Sequence, residues 1–481
     1  DTKQRAAMWL DFETQKDEGL YFCYGLDART YGSLWPDRRV QPEMWQMKKT
    51  VQPIEVTMVN AETGEVQLWN RNAFINSDHY VTQWQLMADQ EVLQQGELQA
   101  SVAPLTRQTL VLPFKKPAIK PGAKYCLMVS SKLRSDEIWA KAGHEVSWNQ
   151  FPLAWSLPAE EASTSKAASI RSNSDDEVVI AGDGFQYIFN RSQAMLTSMK
   201  VDGKELLKTG LKMNVWRAPL ANEQDSWNAF RARSRTRKPG YGNQVAANFY
   251  IAGIDRLTHV PVTLEAKEAN GKVVMTIQDA YLTYGHQDEP LQDGVPVNGF
   301  SNEYKVVIDG NGKITIKHTF KPNGNMPLWL PRVGMTMVLD NDLDQVQWLG
   351  RGPQENYPDR KTGYPVGLYK TTVADMIEPY LVPQDYGLRT DNQYVRMTDT
   401  QGVGLEFSSD DLFNFNAYPY STENLTKAMY TYQLQPADGI TLNLDYESSG
   451  VGCTALSIFE AYRVPVKAYT RTLIIKPIDT H

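Results

Sequence analysis

Short runs in which apolar and polar residues alternate fill most of this chain from about residue 54 onward, and they constrain its fold more than any other feature. A period of two places successive side chains on opposite faces of a strand, so each run predicts a β-strand with one buried face. The first group of predicted strands is 55–59, 66–70, 80–86, 91–98, 109–112 and 125–129. Roughly seven short strands within about 100 residues predict an immunoglobulin-like β-sandwich, which we place at 51–157.

Strand patterns resume after a segment that has almost nothing to bury. Residues 158–175 are rich in Ala, Ser, Thr and acidic side chains, which predicts a linker. Beyond it, Asp202-Gly203 and the stretch 309–312 are hairpin-turn sequences between apolar runs. A region of roughly 300 residues with almost no helical period predicts a large antiparallel super-sandwich over 176–481.

The first fifty residues have a different character. The apolar run 6–12 contains Trp9 and ends in a charge, which predicts a buried parallel strand, as in the last strand of a TIM barrel. Pro42 precedes a predicted short helix at 43–49. We expect a mainly β chain with a short barrel remnant at 1–50. The chain opens with Asp1 and shows no signal-peptide pattern, so we expect a fragment or a processed product and assign neither a cytoplasmic nor a periplasmic location.

Composition excludes several classes of function. With 49 basic and 56 acidic side chains the formal charge is -7, so no positive field exists to hold nucleic acid. No apolar run approaches the roughly 20 residues that cross a bilayer, so we expect no membrane partner. Cys23, Cys126 and Cys453 lie too far apart in sequence for a metal quartet or a disulfide framework, and the six histidines show no metal-binding spacing. We therefore expect no metal and no cofactor in this chain.

The stretch 349–360 is the most distinctive segment for function. Two glycines and two prolines fix an irregular backbone path there. The same stretch carries directional hydrogen-bonding side chains, among them Arg351, Glu355, Asn356, Asp359 and Arg360. We interpret it as a shaped loop that either lines a pocket or forms an ion-paired docking surface between domains.

Several stretches, in this order along the chain, resemble the C-terminal region of large bacterial β-galactosidases of glycoside hydrolase family 2. The two long motifs are 217–220 (R-A-P-L) and 349–360. The shorter ones are Asp37-Arg38 with Pro42 and Lys48, 139–148, 378–380 with Pro383, 387–389 and 413–416. Together they cover essentially the whole chain.

The resemblance implies the end of a catalytic barrel, an immunoglobulin-like domain and a C-terminal super-sandwich that helps to wall a sugar pocket. Retaining glycosidases need two carboxylates about 5–5.5 Å apart. In the family both catalytic glutamates and the magnesium ligands lie on barrel strands that would precede Asp1, so we expect no catalytic residue here. Asn222-Glu223 and Asn302-Glu303 repeat the family's asparagine-glutamate pair only superficially, since neither has barrel context. The implied partners are the upstream barrel, a small carbohydrate and further copies of the chain.

The resemblance also supplies candidate site residues. Trp9 stacks on a sugar ring or packs in the barrel core, and Arg217 and Asn222 reach the pocket rim or tie domains together through backbone carbonyls. Asp37 and Arg38 join the residues of the 349–360 loop as interdomain or pocket-loop candidates.

The chain departs from the family pattern at two positions that matter for the sugar and sodium sites. Residues 450–457 carry no aromatic where the family has a sugar-lining tryptophan, so Phe459 or Tyr462 would have to replace it. The stretch 25–31 is shorter than the family's loop that supplies a sodium ligand, so we expect that this sodium site is absent. The alternative function is a separately encoded small subunit, or a carbohydrate-binding or assembly module.

His318 alternates with Ile314, Ile316 and Phe320 on one face of a predicted strand. This placement favours a hydrogen-bonded core histidine over a ligand.

Overall fold

A computed structural model describes residues 33–35, 37–158, 166–224, 245–284, 298–428, 430–452 and 458–478. The described residues divide into two compact units, a smaller one formed by 42–158 with 362–368 and a larger one formed by the rest. The predicted barrel strand at 6–12, with Trp9, lies outside the described residues. No described helix is long and apolar enough to cross a membrane.

The smaller unit is an antiparallel two-sheet sandwich. Its strands are β1 Ile54–Asn60, β2 Glu65–Asn70, β3 Tyr80–Ala88, β4 Glu91–Leu98, β5 Arg107–Val111, β6 Tyr125–Leu133 and β7 Glu145–Leu153. One sheet has the order β1-β2-β5 and the other β4-β3-β6-β7. Alternate residues of β2 and β6 are buried, and Leu68, Trp84 and Leu127 share one core. The predicted sandwich and its strands are confirmed, because period-two burial fixes which face each strand turns inward.

A short helix, α1 Glu43–Thr50, precedes β1. Pro42 stands at its N-cap with a φ of -53°, which is already the helical value that the proline ring imposes. The predicted helical turns after Pro42 are confirmed.

The larger unit contains a five-stranded and a twelve-stranded antiparallel sheet. The five-stranded sheet has the order β12-β11-β10-β9-β8, with β8 Ser169–Asn173, β9 Glu177–Gly182, β10 Phe185–Asn190, β11 Met195–Val201 and β12 Lys204–Glu205. The strands of the other sheet are β13 Leu207–Asn214, β14 Thr258–Ala269, β15 Lys272–Thr283, β16 Asn298–Ile308, β17 Ile314–Gly324, β18 Arg332–Leu339, β19 Gln345–Arg351, β20 Val366–Thr372, β21 Arg389–Thr398, β22 Gly404–Tyr418, β23 Ile440–Ser448 and β24 Tyr469–Ile478. Its path is β13-β18-β23-β22-β24-β17-β16-β15-β14, with β19, β20 and β21 attached beside it.

Both sheets of the larger unit and one helix share a single hydrophobic core. Tyr187 of β10, Phe300 of β16 and Leu444 of β23 are all fully buried in it. The helix α2 Val245–Ala252 is almost entirely apolar and contributes Phe249 to the same core, as expected for a helix covered on most sides. The second helix of the unit, α3 Thr422–Lys427, is capped by the Ser421 hydroxyl, which accepts from the Asn424 N–H at 3.0 Å. The predicted mainly antiparallel β-sandwich architecture is confirmed.

Both predicted hairpin turns form. Asp202 and Gly203 have φ values of 48° and 80° between β11 and β12, the left-handed conformation that such turns require. In the turn between β16 and β17, Asp309 Oδ1 accepts from the backbone N–H groups of Asn311 and Lys313 at 3.0 and 3.2 Å. The side chain therefore caps the turn that its sequence predicts.

One element lies where the sequence predicts a linker. Residues 169–173 of the predicted segment 158–175 form β8, which pairs with β9 through Ile170 opposite Ile180. The Ile170 N–H also donates to Glu268 Oε1 at 2.7 Å. β8 is a mostly exposed edge strand of Ser, Arg and Asn, so it carries no alternating signal, and only its neighbour makes it a strand.

Candidate functional site

Four polar segments of the larger unit meet at one end of the twelve-stranded sheet. They are 217–224 after β13, 351–361 after β19, 380–392 before and into β21, and 449–452 after β23; we call them the loop cluster. Side chains from the first three segments bind the backbone of another segment, and 449–452 contributes backbone groups. Both long motifs of the sequence analysis are therefore brought into one place.

Arg217 is a buried tether within this cluster. Its side chain is 1% exposed, Nη1 donates to the Ser449 carbonyl at 2.9 Å, and Nη2 donates to Glu223 Oε1 at 2.7 Å and to the Gly450 carbonyl at 3.0 Å. The second carboxylate oxygen of Glu223 accepts from the Leu220 N–H at 2.9 Å. Both oxygens of Glu223 are thus occupied, which supports rejecting it as a catalytic acid.

Asn222 and Asp359 also bind the segment 449–452. Asn222 Nδ2 donates to the carbonyls of Val451 and Gly452 at 3.2 and 3.3 Å. The carboxylate of Asp359 accepts from the N–H groups of the same two residues at 2.9 and 2.7 Å. A Cβ on Gly450 would collide with the Asp359 carboxylate, so this close approach requires glycine.

Replacing Asp359 with alanine is expected to lower the free energy of unfolding of the larger unit by about 2 kcal/mol, because two backbone donors lose a charged acceptor. Urea denaturation followed by tryptophan fluorescence measures this change. The matched control is Asp175→Ala at an exposed position, which is expected to cost less than about 0.5 kcal/mol. An equal cost for the two variants would contradict the assigned role of Asp359.

Glu355 and Asn356 fix the 351–361 segment to the 380–392 segment. Glu355, 1% exposed, accepts from Arg360 Nη2 at 2.9 Å, from the Gly387 N–H at 2.7 Å and from the Tyr380 hydroxyl. Fully buried Asn356 accepts through Oδ1 from the Thr390 N–H and hydroxyl, at 3.1 and 2.5 Å. Each side chain gives a backbone N–H of this irregular segment the acceptor that a neighbouring strand would supply in a regular sheet.

Arg351 forms a second, less buried group with Asp391 and Lys361. Arg351 Nε lies 2.6 Å from Asp391 Oδ2, and Lys361 Nζ lies 2.8 Å from the other oxygen. Burial opposes ionisation of Asp391, but Lys361 and Arg351 outweigh it and lower the pKa of this carboxyl. The carboxylate of Asp391 therefore stays ionised at neutral pH.

Sequence reasoning missed a deeply buried ion group that joins Asp385 of the loop cluster to the adjoining strands β18 and β23. Arg332 donates through Nη2 to both oxygens of Asp385 at 2.9 Å, and its Nε lies 3.5 Å from Asp445 Oδ2. All three residues are at most 1% exposed. Burial raises the pKa of Asp445 to about 6 despite the opposing effect of Arg332. The sequence signal is weak, because Asp445 lies on the polar side of the alternating run 440–446 and only the structure buries both faces of this strand.

The described candidates near the N-terminus have mostly local contacts. Asp37 accepts from the Arg39 backbone N–H at 3.1 Å and from Arg39 Nε at 2.7 Å on an exposed turn, and Arg38 is exposed with a φ of 70°. Trp35, by contrast, is buried and meets the Tyr380 ring edge to face at 5.5 Å. It thus contacts the tyrosine that donates to Glu355.

The carboxylates of the loop cluster have partners within the fold. Asp359, Glu355 and Asp385 accept from guanidinium groups or backbone N–H groups, and Asp385 and Asp445 are fully buried against Arg332, with no surface for a sugar. Among the described residues, no group of three or more His, Cys, Asp or Glu side chains is placed to hold a metal ion. The hydrogen bonds of Arg217 and Asn222 described above lie within the larger unit, and the sugar-binding or interdomain roles of these two residues stay predictions.

The fold and the loop cluster define a mainly β protein of at least two sandwich-type units with an ion-paired polar end. The family model described as "Beta galactosidase small chain" matches residues 181–475, and the model described as "Beta-galactosidase, domain 4" matches residues 66–154. The first match alone covers more than half of the chain. The chain therefore belongs to the beta-galactosidase small chain family, and the resemblance predicted from its motifs is confirmed.

Curated relatives of this chain are named "Beta-galactosidase". A protein named "Beta-galactosidase" from Priestia megaterium is 26% identical over 97% of this chain and 43% of its own length. One from Pseudoalteromonas haloplanktis is 26% identical over 92% of this chain and 42% of its own length. The chain thus spans less than half the length of these relatives. A solved galactose 1-epimerase from Lactobacillus acidophilus aligns with 66% of this chain at 11% identity and a TM-score of 0.33, which is too low to support an argument.

Proposed function

We propose that this chain is the C-terminal part of a retaining β-galactosidase that hydrolyses terminal β-D-galactosides. Its larger unit walls the sugar pocket, while the catalytic glutamates and any magnesium ligands are supplied by an upstream barrel. Family membership and the 43% coverage of a relative named "Beta-galactosidase" support the class of enzyme and the partial extent.

One structural observation carries the proposed role: buried and half-buried side chains join four separate segments. Glu355, Asp359 and Arg217 each bridge segments that are more than twenty residues apart in sequence. Groups that line a reacting centre act best when their geometry is fixed before substrate arrives. Loops that are fixed in this way hold the wall of the sugar pocket in a constant geometry and supply no reactive group themselves.

The isolated chain is expected to release no chromophore from a chromogenic β-galactoside above the rate in buffer, because retaining hydrolysis requires a nucleophile and an acid/base carboxylate that it lacks. Turnover is expected when the upstream polypeptide of the parent protein is added or joined in one reading frame. The control is the same upstream polypeptide without this chain. Turnover by the isolated chain would overturn the assignment of the chemistry to upstream residues.

A separately encoded small subunit is the second candidate, favoured by the family description "small chain". A stop codon followed by a new start just before Asp1 would support it, whereas a continuous reading frame would support one long polypeptide. Assembly into homo-oligomers also belongs to this proposal. Sedimentation with and without the upstream part measures it, and a monomer under both conditions would remove it.

A further inference from the structure

The smaller unit contains an apolar pocket that the loop cluster does not share. It has a volume of about 570 Å³ and is lined by Met44 and Met47 of α1, by Val51 at the C-terminal end of this helix and by Val146 of β7. This volume falls within the roughly 300–1,000 Å³ of typical small-molecule sites. The thioether side chains of methionine adapt their shape to a ligand.

An exposed aromatic side chain forms part of the pocket wall. Trp139 is 65% exposed and meets the His144 ring edge to face at 5.5 Å and 84°. It lines the same pocket as Met47 and Val51, which are also exposed, so the indole belongs to a contiguous apolar surface. Its flat surface favours a ligand that contains an aromatic ring system.

Most of the polar side chains in the wall already have partners in the fold. Gln52 accepts from Lys49 Nζ at 3.1 Å and donates to Asn149 Oδ1 at 3.3 Å, and the Tyr80 hydroxyl donates to Asn72 Oδ1 at 3.3 Å. A sugar would need many hydrogen-bonding partners to replace the water around its hydroxyls. The lining therefore disfavours a sugar as the occupant.

Basic side chains lie in and around the pocket wall. Lys48 and His144 line it, and the nearby carboxylate of Glu145 is surrounded by Lys48, Lys49, Lys132 and His144. Lys49 is engaged with the Trp148 carbonyl and lies 4.1 Å from the centre of that indole ring. Lys48, Lys49 and Lys132 thus face the half-buried carboxylate of Glu145, and Lys49 also faces Glu55. Lys48 is the lysine that lines the pocket, where it complements a ligand with an acidic group.

We propose that this pocket is a binding site for an aromatic acid, with the ring system against Trp139 and the methionines and the acidic group beside Lys48. Every residue used lies in the smaller unit, so the inference is independent of the proposed function.

Isothermal titration of the 481-residue chain with 2-naphthoate tests the inference, with 2-naphthalenemethanol as the uncharged analogue and galactose as the sugar probe. Naphthoate is expected to bind one to one. It should bind at least about tenfold more tightly than the alcohol, which corresponds to about 1.4 kcal/mol from the interaction of the carboxylate with Lys48. Galactose is expected not to displace it. Trp139→Ala should weaken naphthoate about tenfold, and Lys48→Met should remove the preference for the acid over the alcohol.

Arg107→Met provides the matched control, because Arg107 is an exposed cation 4.2 Å from the centre of another indole, Trp69, on β2 and β5. This variant is expected to leave naphthoate binding unchanged. The inference is overturned if naphthoate does not bind, if galactose displaces it, or if Arg107→Met weakens it as much as Lys48→Met does. Retention of the acid preference in Lys48→Met would equally contradict it.

Discussion

Replacing Asp385 with alanine is expected to lower the free energy of unfolding of the larger unit by about 3–5 kcal/mol, because it leaves a buried guanidinium without its main counter-charge. Arg332 donates to both oxygens of Asp385, and each residue is at most 1% exposed. Asp445 offers only one contact of 3.5 Å to the same guanidinium. Urea denaturation at pH 7, followed by intrinsic fluorescence, measures the loss.

Two further variants separate the loss of charge pairing from other effects. The double variant Arg332→Met/Asp385→Leu removes both charges, so it is expected to be more stable than Asp385→Ala alone. Asp410→Ala removes a carboxylate that pairs with Arg471 at the surface, 45% exposed, and is expected to cost no more than about 1 kcal/mol. The interpretation fails if the Asp385 and Asp410 variants lose equal stability, or if the double variant is the least stable of the three.

Acidification from pH 6.5 towards pH 3 is expected to destabilise the larger unit through His318, by about 3 kcal/mol at pH 4.5. Burial lowers the pKa of this histidine to about 3, whereas an unfolded histidine titrates near 6.5. In this window the unfolded chain binds a proton that the native chain does not, so the free energy of unfolding rises with pH. The stabilisation linked to the lowered pKa of His318 is fully present above pH 6.5 and is lost as the pH falls.

The surroundings of His318 explain why the neutral form is kept. Its Nδ1 lies 3.1 Å from the Tyr446 hydroxyl and its Nε2 lies 3.1 Å from Asn302 Oδ1, so a neutral ring accepts from the tyrosine and donates to the amide oxygen. Tyr304 and Phe320 stack on the ring at 4.5 and 5.1 Å. The core-histidine prediction is confirmed, since no side of the ring is left to water.

Stability curves at several pH values for the wild type and for His318→Gln measure this contribution, which is the difference between the two pH dependences. The comparison is needed because Asp445 acts in the opposite direction: its pKa of about 6 makes its contribution fall as the pH rises from about 4 to 6. His79→Gln, in the smaller unit, is the control. NMR titration of the His318 ring gives a second readout, and a midpoint near 6.5 would refute the buried neutral state.

Much of the loop cluster could be anticipated from residue type and local sequence. Glycines, prolines and several charged or amide side chains within twelve residues predicted that 349–360 is a shaped loop. The identity of the partners could not be anticipated. Asp359 binds the backbone of residues 451 and 452, and Arg332 binds Asp385, yet no local pattern links these positions.

The sequence by itself determined the period-two strands, the turn at Asp202-Gly203 and the buried face that carries His318, because each depends on residues that are neighbours along the chain. The tertiary structure alone decided that residues 169–173 become a strand and that Arg217, Asp359 and Glu355 converge on one end of a sheet. Strand order brings distant segments together, and the free energy of a buried charge depends on which partner arrives there.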